Sequence, residues 1–290
     1  MIKWLILLGV IILICIAEWM REIFTYKITH YEVCSDKLNG LSVEKKIVFL
    51  TDLHNKIYGK DNEKLLSSIR GIQPELILVG GDMVVGKANA SEENTCAFIK
   101  KLTEIAPVYY ANGNHEYRMK IYKEQFGDRI LKYKSELESS GVVFLENSSI
   151  DVILDEKKVQ LTGLEVPREY YKKFHKIEMS DEALGELIGN ANGDFFQILL
   201  AHNPVYMDTY KKWGADLVLS GHLHGGVVRI PGFRGVITPQ FRLFPKYSGE
   251  FRSEDDTAII VSKGLGTHTF HIRFLNPAEV VVVHIKSNDK

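Results

Sequence analysis

Residues 76–83 read LILVGGDM, four apolar residues followed by two glycines and an aspartate. A short apolar run closed by glycines fits a strand buried on both faces. The aspartate then stands at the strand's carboxyl end. The same order recurs along the chain. IVFL at 47–50 runs into Thr51-Asp52-Leu53-His54, and VYYA at 108–111 runs into Asn112-Gly113-Asn114-His115-Glu116. FQILLA at 196–201 runs into His202, and LVL at 217–219 into Ser220-Gly221-His222-Leu223-His224. Between these runs, Asp61–Arg70, Ser91–Glu104, Ile121–Ser139, Ser180–Ile188 and Pro204–Trp213 carry helical spacing of apolar residues. Alternating strands and helices predict an α/β architecture with substantial sheet. Two further strands are expected at Thr257–Ser262 and Glu279–Lys286, after a loop marked by Pro231-Gly232, Gly235, Pro239 and Pro245.

Groups that do chemistry on open α/β sheets gather outside the carboxyl ends of the strands, so these five ends are expected to converge on one site. The pairs Asp52/His54 and His222/His224 are each spaced by two, which puts both members on one face if strand geometry persists. Taken singly, each residue has a plain structural reading: an Asp after a strand caps a turn, and Asn114 beside Gly113 is a turn residue. Five such coincidences in one structural context make a metal site the better reading. Carboxylates, imidazoles and an amide oxygen suit manganese, iron, zinc or cobalt. Two ions need a shared ligand, and Asp82, in the middle of the set, is the natural bridge.

Composition narrows the alternatives. With 45% hydrophobic and 25% charged residues, the 290-residue chain is an ordinary folded domain, not a disordered or multispan membrane protein. Thirty-six basic against thirty-seven acidic residues leave a net charge of −1, which argues against specific nucleic-acid binding. Cys15, Cys34 and Cys96 are too scattered for a disulfide framework or a zinc finger.

The N-terminus departs from this average. Trp4–Ala17 reads WLILLGVIILICIA, and Trp19, Met20, Ile23 and Phe24 extend its apolar character past Glu18. Residues 1–24 read as an uncleaved single-pass membrane anchor; a cleaved signal core and a buried helix of a soluble protein are the alternatives. The short positive lead formed by Lys3 and the free amine favours an extracytoplasmic domain. Residues 25–44 are expected to be a tether and 45–290 the catalytic domain.

The ordered set Asp-x-His, Gly-Asp, Gly-Asn-His-Glu, His and Gly-His-x-His resembles that of the calcineurin-like metallophosphoesterase superfamily, over roughly residues 45–286. The apolar N-terminus, SGHLHGGVVRIP at 220–231 and VSKGLGTHTFHIRFLNPAEV at 261–280 resemble the bacterial membrane-associated YkuE-type group, itself similar to some UDP-diacylglucosamine hydrolases. The resemblance implies a four-layer αββα sandwich, two mixed β-sheets packed together with helices outside. It also implies one metal on Asp52, His54, Asp82 and His224, a second on Asp82, Asn114, His202 and His222, and His115 as the catalytic histidine. Glu116 stands where Asp is more usual, in a place suited to orienting His115. Leu223 and Val227 depart from the more usual Thr and Gln of the narrower group. Spacing alone leaves His115 open between acid and metal ligand. The implied activity is hydrolysis of a phosphate ester or pyrophosphate by a hydroxide that two divalent ions generate at neutral pH. A noncatalytic, metal-stabilised binding scaffold is the rival reading.

Two basic, aromatic segments are candidates for contact with a phosphorylated small-molecule or lipid substrate, or with the membrane: Arg168–Lys176, and Arg229–Arg252 with Arg234, Arg242, Phe244, Lys246 and Tyr247. Their plainer reading is a solvated face. His268, His271 and Arg273 follow a glycine-rich turn, where a substrate role and a structural one are equally consistent with the sequence. The candidate substrate contacts are therefore Arg242, Lys246, Tyr247, His268 and Arg273.

Overall fold

The computed structural model describes residues 1–172, 177–226, 228–230, 235–238, 243–267 and 272–288. A helix α1 (Ile2–Phe24) precedes strands β1 (Tyr26–Ser35) and β2 (Lys45–Leu50), helix α2 (Glu63–Ile72), β3 (Leu76–Val79), α3 (Glu93–Leu102) and β4 (Val108–Tyr110). Helices α4 (Asn114–Ile121), α5 (Lys123–Phe126) and α6 (Arg129–Glu138) follow, then β5 (Val143–Phe144), β6 (Ser148–Leu154) and β7 (Lys157–Leu164). The chain continues through α7 (Asp181–Ile188), β8 (Phe196–Ala201), α8 (Met207–Trp213), β9 (Leu217–Ser220), β10 (Phe251–Glu254), β11 (Thr257–Val261) and β12 (Ala278–Ser287).

Among the described residues the strands form two six-stranded mixed sheets, ordered β1-β12-β2-β3-β4-β5 and β10-β11-β9-β8-β7-β6. Strand alternation builds the layers. Ile47, Phe49, Leu76 and Leu78 of the first sheet meet Leu161, Ile198, Leu200, Leu217, Leu219 and Ile260 of the second in a core between the sheets. The intervening residues Val48, Leu50, Ile77 and Val79 face outward onto Leu65, Ile69, Phe98, Ile99 and Leu137 of α2, α3 and α6. On the far side, Leu199, Val218, Ile259 and Val261 pack against Leu184, Ile188, Met207 and Tyr210 of α7 and α8. The central strands are covered on both faces, which is why they read as unbroken apolar runs. The result is the expected four-layer αββα sandwich, with β2, β3 and β4 parallel, as are β8 and β9. Their carboxyl ends lie along one edge of the sandwich.

Three segments differ from the sequence reading. The expected tether over 25–44 contains β1, which pairs in parallel with β12 from Tyr26↔Ala278 to Ser35↔Ser287, so the first sheet begins directly after α1. Of β1 only Val33 is buried, and an edge strand that exposes Lys27, Glu32 and Cys34 carries no apolar run. The hairpin β6–β7, with Asp155 at φ 51° in its turn, adds two strands to those the sequence predicts. The helix expected over 121–139 is broken into α4, α5 and α6, the last break at Gly127 with φ 57°.

Candidate metal centre

The first sheet delivers Asp52 and His54 just past β2, Asp82 just past β3, and Asn114, His115 and Glu116 in the first turn of α4 after β4. The second delivers His202 immediately after β8, and His222 and His224 just past β9. The strands have ended before these residues. Strand alternation therefore does not aim them. Instead, Asp52, His54, Asp82, His222 and His224 adopt left-handed backbone, with φ of 54°, 49°, 51°, 70° and 50°. That conformation costs a side-chain-bearing residue about 1–2 kcal/mol and persists where surrounding contacts hold it. Here the loops hold one another. Asp52 N–H donates to Gly81 O at 3.0 Å, His54 N–H to Asp82 O at 3.1 Å, and His222 N–H to the Asp52 carboxylate at 3.0 Å. A Cβ on Gly113 would overlap the Asp82 carboxylate, and one on Gly221 that of Asp52, so both turns can close only with glycine.

The side chains converge. Asp52, His54 and His224 bring ligand atoms within 4.8 Å of one another, as do Asp82, His202 and His222, and His54, Asp82 and His115. The Nε2 atoms of His54 and His224 lie 3.1 Å apart, that of His224 is 3.3 Å from Asp52 Oδ1, and that of His202 is 3.1 Å from Asp82 Oδ2. Two ligands on one ion with bonds near 2.1 Å sit about 3.0–3.4 Å apart, so these separations are the edges of a coordination shell. His202 Nδ1 sits 2.7 Å from Gly80 O; donating there leaves Nε2 with its lone pair turned to the carboxylates, the usual bracing of a metal-bound imidazole. Asn114 Oδ1 is buried and accepts no hydrogen bond among the described residues. A buried amide oxygen without a donor is costly unless a cation faces it. The donor set fits divalent metal.

The electrostatics agree. Burial would raise the carboxyl of Asp52, but His224 and His202 overcome it, and the pKa falls far below the ordinary carboxylate range. Asp82 behaves alike, with His202 and His115 outweighing its burial. His202 is the counterpart: burial disfavours its charge, yet Asp82 and Asp52 push its pKa up to about 10. Two fully buried carboxylates demand positive charge beside them.

Glu116 does not orient His115. Its carboxylate accepts from the backbone N–H of Asp82 and Met83 at 2.8 Å each, from Gly113 N–H at 3.1 Å and from Tyr110 Oη at 2.8 Å. It thereby fixes the turn that carries Asp82. Burial, then the Asp82 charge, raise its pKa. His115 is set by Gly86, whose N–H donates to Nδ1 at 2.9 Å, so a neutral imidazole carries its proton on Nε2. That Nε2 lies 3.9 Å from Asp82 Oδ2.

The expected substrate contacts fare differently. Arg242 and His268 lie outside the described residues, as do Val227, Arg234, His271 and 173–176. Arg273 is 1% exposed and spends its guanidinium on the carbonyls of Lys263, Gly264, Gly266 and Asn276, which makes it a scaffold residue. Tyr247 donates from its hydroxyl to Glu254 at 2.8 Å, and Lys246 reaches the same carboxylate at 3.0 Å. Both line a cavity of about 280 Å³ together with Leu223, Pro204 and Leu243, beside the loops of His222 and His202. Three further residues support the site, the first of them from the aromatic segment Arg168–Lys176. Tyr171 stacks edge-on against His222, with ring centroids 5.1 Å apart. Asn276 donates from Nδ2 to the carbonyls of His224 and Gly226 at 2.7 Å each, and Glu22 accepts from Asn276 N–H at 2.8 Å.

Residues 45–226 match the sequence profile of the calcineurin-like phosphoesterases. The uncharacterised metallophosphoesterase YkuE of Bacillus subtilis strain 168 is 24% identical over 248 residues, covering 84% of this chain and 80% of its own. Phosphodiesterase YaeI of Escherichia coli K12 is 27% identical over 188 residues, covering 64% and 63%. Among solved structures, sulfate thiohydrolase SoxB of Thermus thermophilus in complex with glycerol superposes with a TM-score of 0.50 at 12% identity, over 83% of this chain and 56% of that one, a likeness of fold. The chain belongs to the calcineurin-like phosphoesterase family and is a phosphate-ester hydrolase.

Proposed function

We propose that the strand ends form a dinuclear centre that hydrolyses a phosphate ester or pyrophosphate, on a lipid- or nucleotide-linked substrate at a membrane. Asp52, His54, Asp82 and His224 would hold one ion, and Asp82, Asn114, His202 and His222 the other, with Asp82 shared. The observation that carries this reading is the unpartnered, buried Asn114 Oδ1 beside imidazole Nε2 atoms crowded round two buried carboxylates. When bound, such a pair supplies Lewis acidity toward phosphoryl oxygens and a nucleophile at neutral pH. The chain's own groups do the rest. His115, whose Nδ1 accepts from Gly86 N–H, would donate from Nε2 to a phosphoryl or leaving oxygen. Glu116 keeps Asp82 in register without touching the reacting atoms. The cavity bounded by Leu223, Lys246 and Tyr247 is suited to the leaving group. Nitrogen and oxygen donors without thiolate favour manganese, iron, zinc or cobalt. Helix α1 is long and apolar enough to cross a membrane, which supports an anchored enzyme; its extracytoplasmic placement is our reading of the positive lead formed by Lys3 and the free amine.

The test is hydrolysis of bis(p-nitrophenyl) phosphate, a phosphomonoester and a nucleotide pyrophosphate, each with Mn²⁺ and with chelator, alongside ion content by mass spectrometry. The proposal expects chelator-sensitive turnover and bound ions. Absence of metal-dependent turnover on every substrate, in protein shown to be folded, contradicts it.

A further inference from the structure

Helix α1 does not simply lead into the domain; its last turn is built into the loops of the candidate metal centre. Glu22 is 1% exposed and accepts from Asn276 N–H, while the Asn276 side chain holds the carbonyls of His224 and Gly226. Ile23 O accepts from Lys56 Nζ, two residues past His54. One end of a helix that could cross a membrane is thus fixed to both loops carrying Asp52, His54 and His224.

Its length sets the depth. At 1.5 Å per residue, the 23 residues of α1 span about 34 Å against a hydrocarbon core of about 30 Å. Glu22 lies one turn, about 6 Å, beyond Glu18, the first charge after the apolar run. Loops docked on Glu22 therefore sit at headgroup depth.

Those loops are apolar where a soluble enzyme would be polar. Ile57, Ile230, Leu243, Phe244, Ile272 and Leu275 are between 38% and 64% exposed. Five of them sit on one hydrogen-bonded unit: Val228-Arg229 bridges Phe274 on one side and Gly235-Val236 on the other, and Val236-Ile237 bridges Leu243-Phe244. Phe244 and Leu275 are displayed from left-handed backbone, with φ of 46° and 52°. Large side chains are disfavoured there, so presenting them to water would add strain to exposure.

We infer that these loops enter the lipid bilayer beside α1, so that the site opens at the membrane surface onto a phosphoester carried by a lipid. The inference rests on reading the strand ends as the phosphoesterase site and α1 as membrane-spanning. Apolar side chains at the interface add buried area, and the tether to α1 makes their insertion intramolecular.

The experiment uses the full chain with Cys15→Ala, Cys34→Ser and Cys96→Ala, reconstituted in vesicles of equal parts phosphatidylethanolamine and phosphatidylglycerol. Single cysteines at Phe244→Cys, Leu275→Cys, Val43→Cys and Ile153→Cys carry an environment-sensitive fluorophore. The last two positions, 62% exposed each, lie in the loop before β2 and on the β6–β7 hairpin, away from the strand ends. The expected result is blue-shifted emission, quenched by doxyl-labelled lipid, at 244 and 275, and aqueous quenching by iodide at 43 and 153. Glu22→Ala should shift 244 and 275 toward the aqueous pattern, and Glu22→Gln should preserve the lipid pattern. Equal iodide quenching at all four positions, or a chain isolated from membranes without α1, overturns the inference. An Asp82→Ala chain should keep the lipid pattern while losing bis(p-nitrophenyl) phosphate hydrolysis, so failure of the seating and failure of the phosphoesterase reading give different results.

Discussion

The interiors of the central strands and the few residues just beyond their ends follow opposite rules. Within β2, β3, β8 and β9 nearly every side chain is apolar and fully buried, the backbone is regular, and neighbouring strands satisfy one another's amides. One or two residues further on, the same chain buries carboxylates, crowds imidazoles and turns left-handed at five candidate ligands. The interior stores stability and the ends use it, holding a geometry that local propensity opposes. Substitutions should separate the two regions by what they change.

The largest effect is expected at Asp82, which belongs to both proposed ion sites. Asp82→Ala should lower metal-dependent turnover by about 10³-fold or more and reduce bound ions, read by kinetics and ion content. Unchanged ion content would break the contrast. Next is Glu116, which serves the site only through backbone. Glu116→Ala strands the N–H groups of Asp82, Met83 and Gly113 and should cost about 3–5 kcal/mol in urea unfolding, with Glu116→Gln recovering much of it. A loss of turnover without loss of stability would instead make Glu116 a chemical participant. Leu200→Ala, between the sheets, should cost about 2–5 kcal/mol and leave ions per folded chain unchanged.

The smallest effect concerns protons. The His202 pKa, about 10 in the folded chain against an ordinary 6.5, means its stabilisation of the ion-free state is complete below about 6.5. That stabilisation is lost as pH rises through about 10. An ion must displace the same proton, so ion affinity should rise with pH across this window. Calorimetry in buffers of different ionisation enthalpy should detect about one proton released per chain near pH 8. No release would place the histidine outside the site.

The contrast also explains what the sequence disclosed. Doubly buried strands write themselves as apolar runs, and a residue delivered by a strand end sits beside its run, so Asp52, His54, Asp82, Asn114, His115, His202, His222 and His224 could be picked out by order. Edge strands β1 and β6 bury one face at most, and the doubly buried end of β7 is broken by Thr162 and Gly163, so none of them leaves such a run. The supporting residues were less legible because their partners are remote: Glu22 meets Asn276 across 254 positions, and Gly86 meets His115 across 29. Glu116 was noticed for its neighbour in sequence, His115, whereas its bonds run to the Asp82 turn 33 and 34 positions away. Arg273 stayed open between a substrate role and a structural one because the four carbonyls that bury it, 3 to 10 positions away, are backbone groups that no side-chain pattern marks.

The central claim is that five strand ends make one two-ion site. Anomalous scattering from crystals of Mn²⁺-loaded protein tests it most directly. Two peaks about 4 Å apart are predicted, one among Asp52, His54 and His224 and one among Asn114, His202 and His222, with Asp82 between them. A single peak, or manganese bound away from these residues, would contradict it.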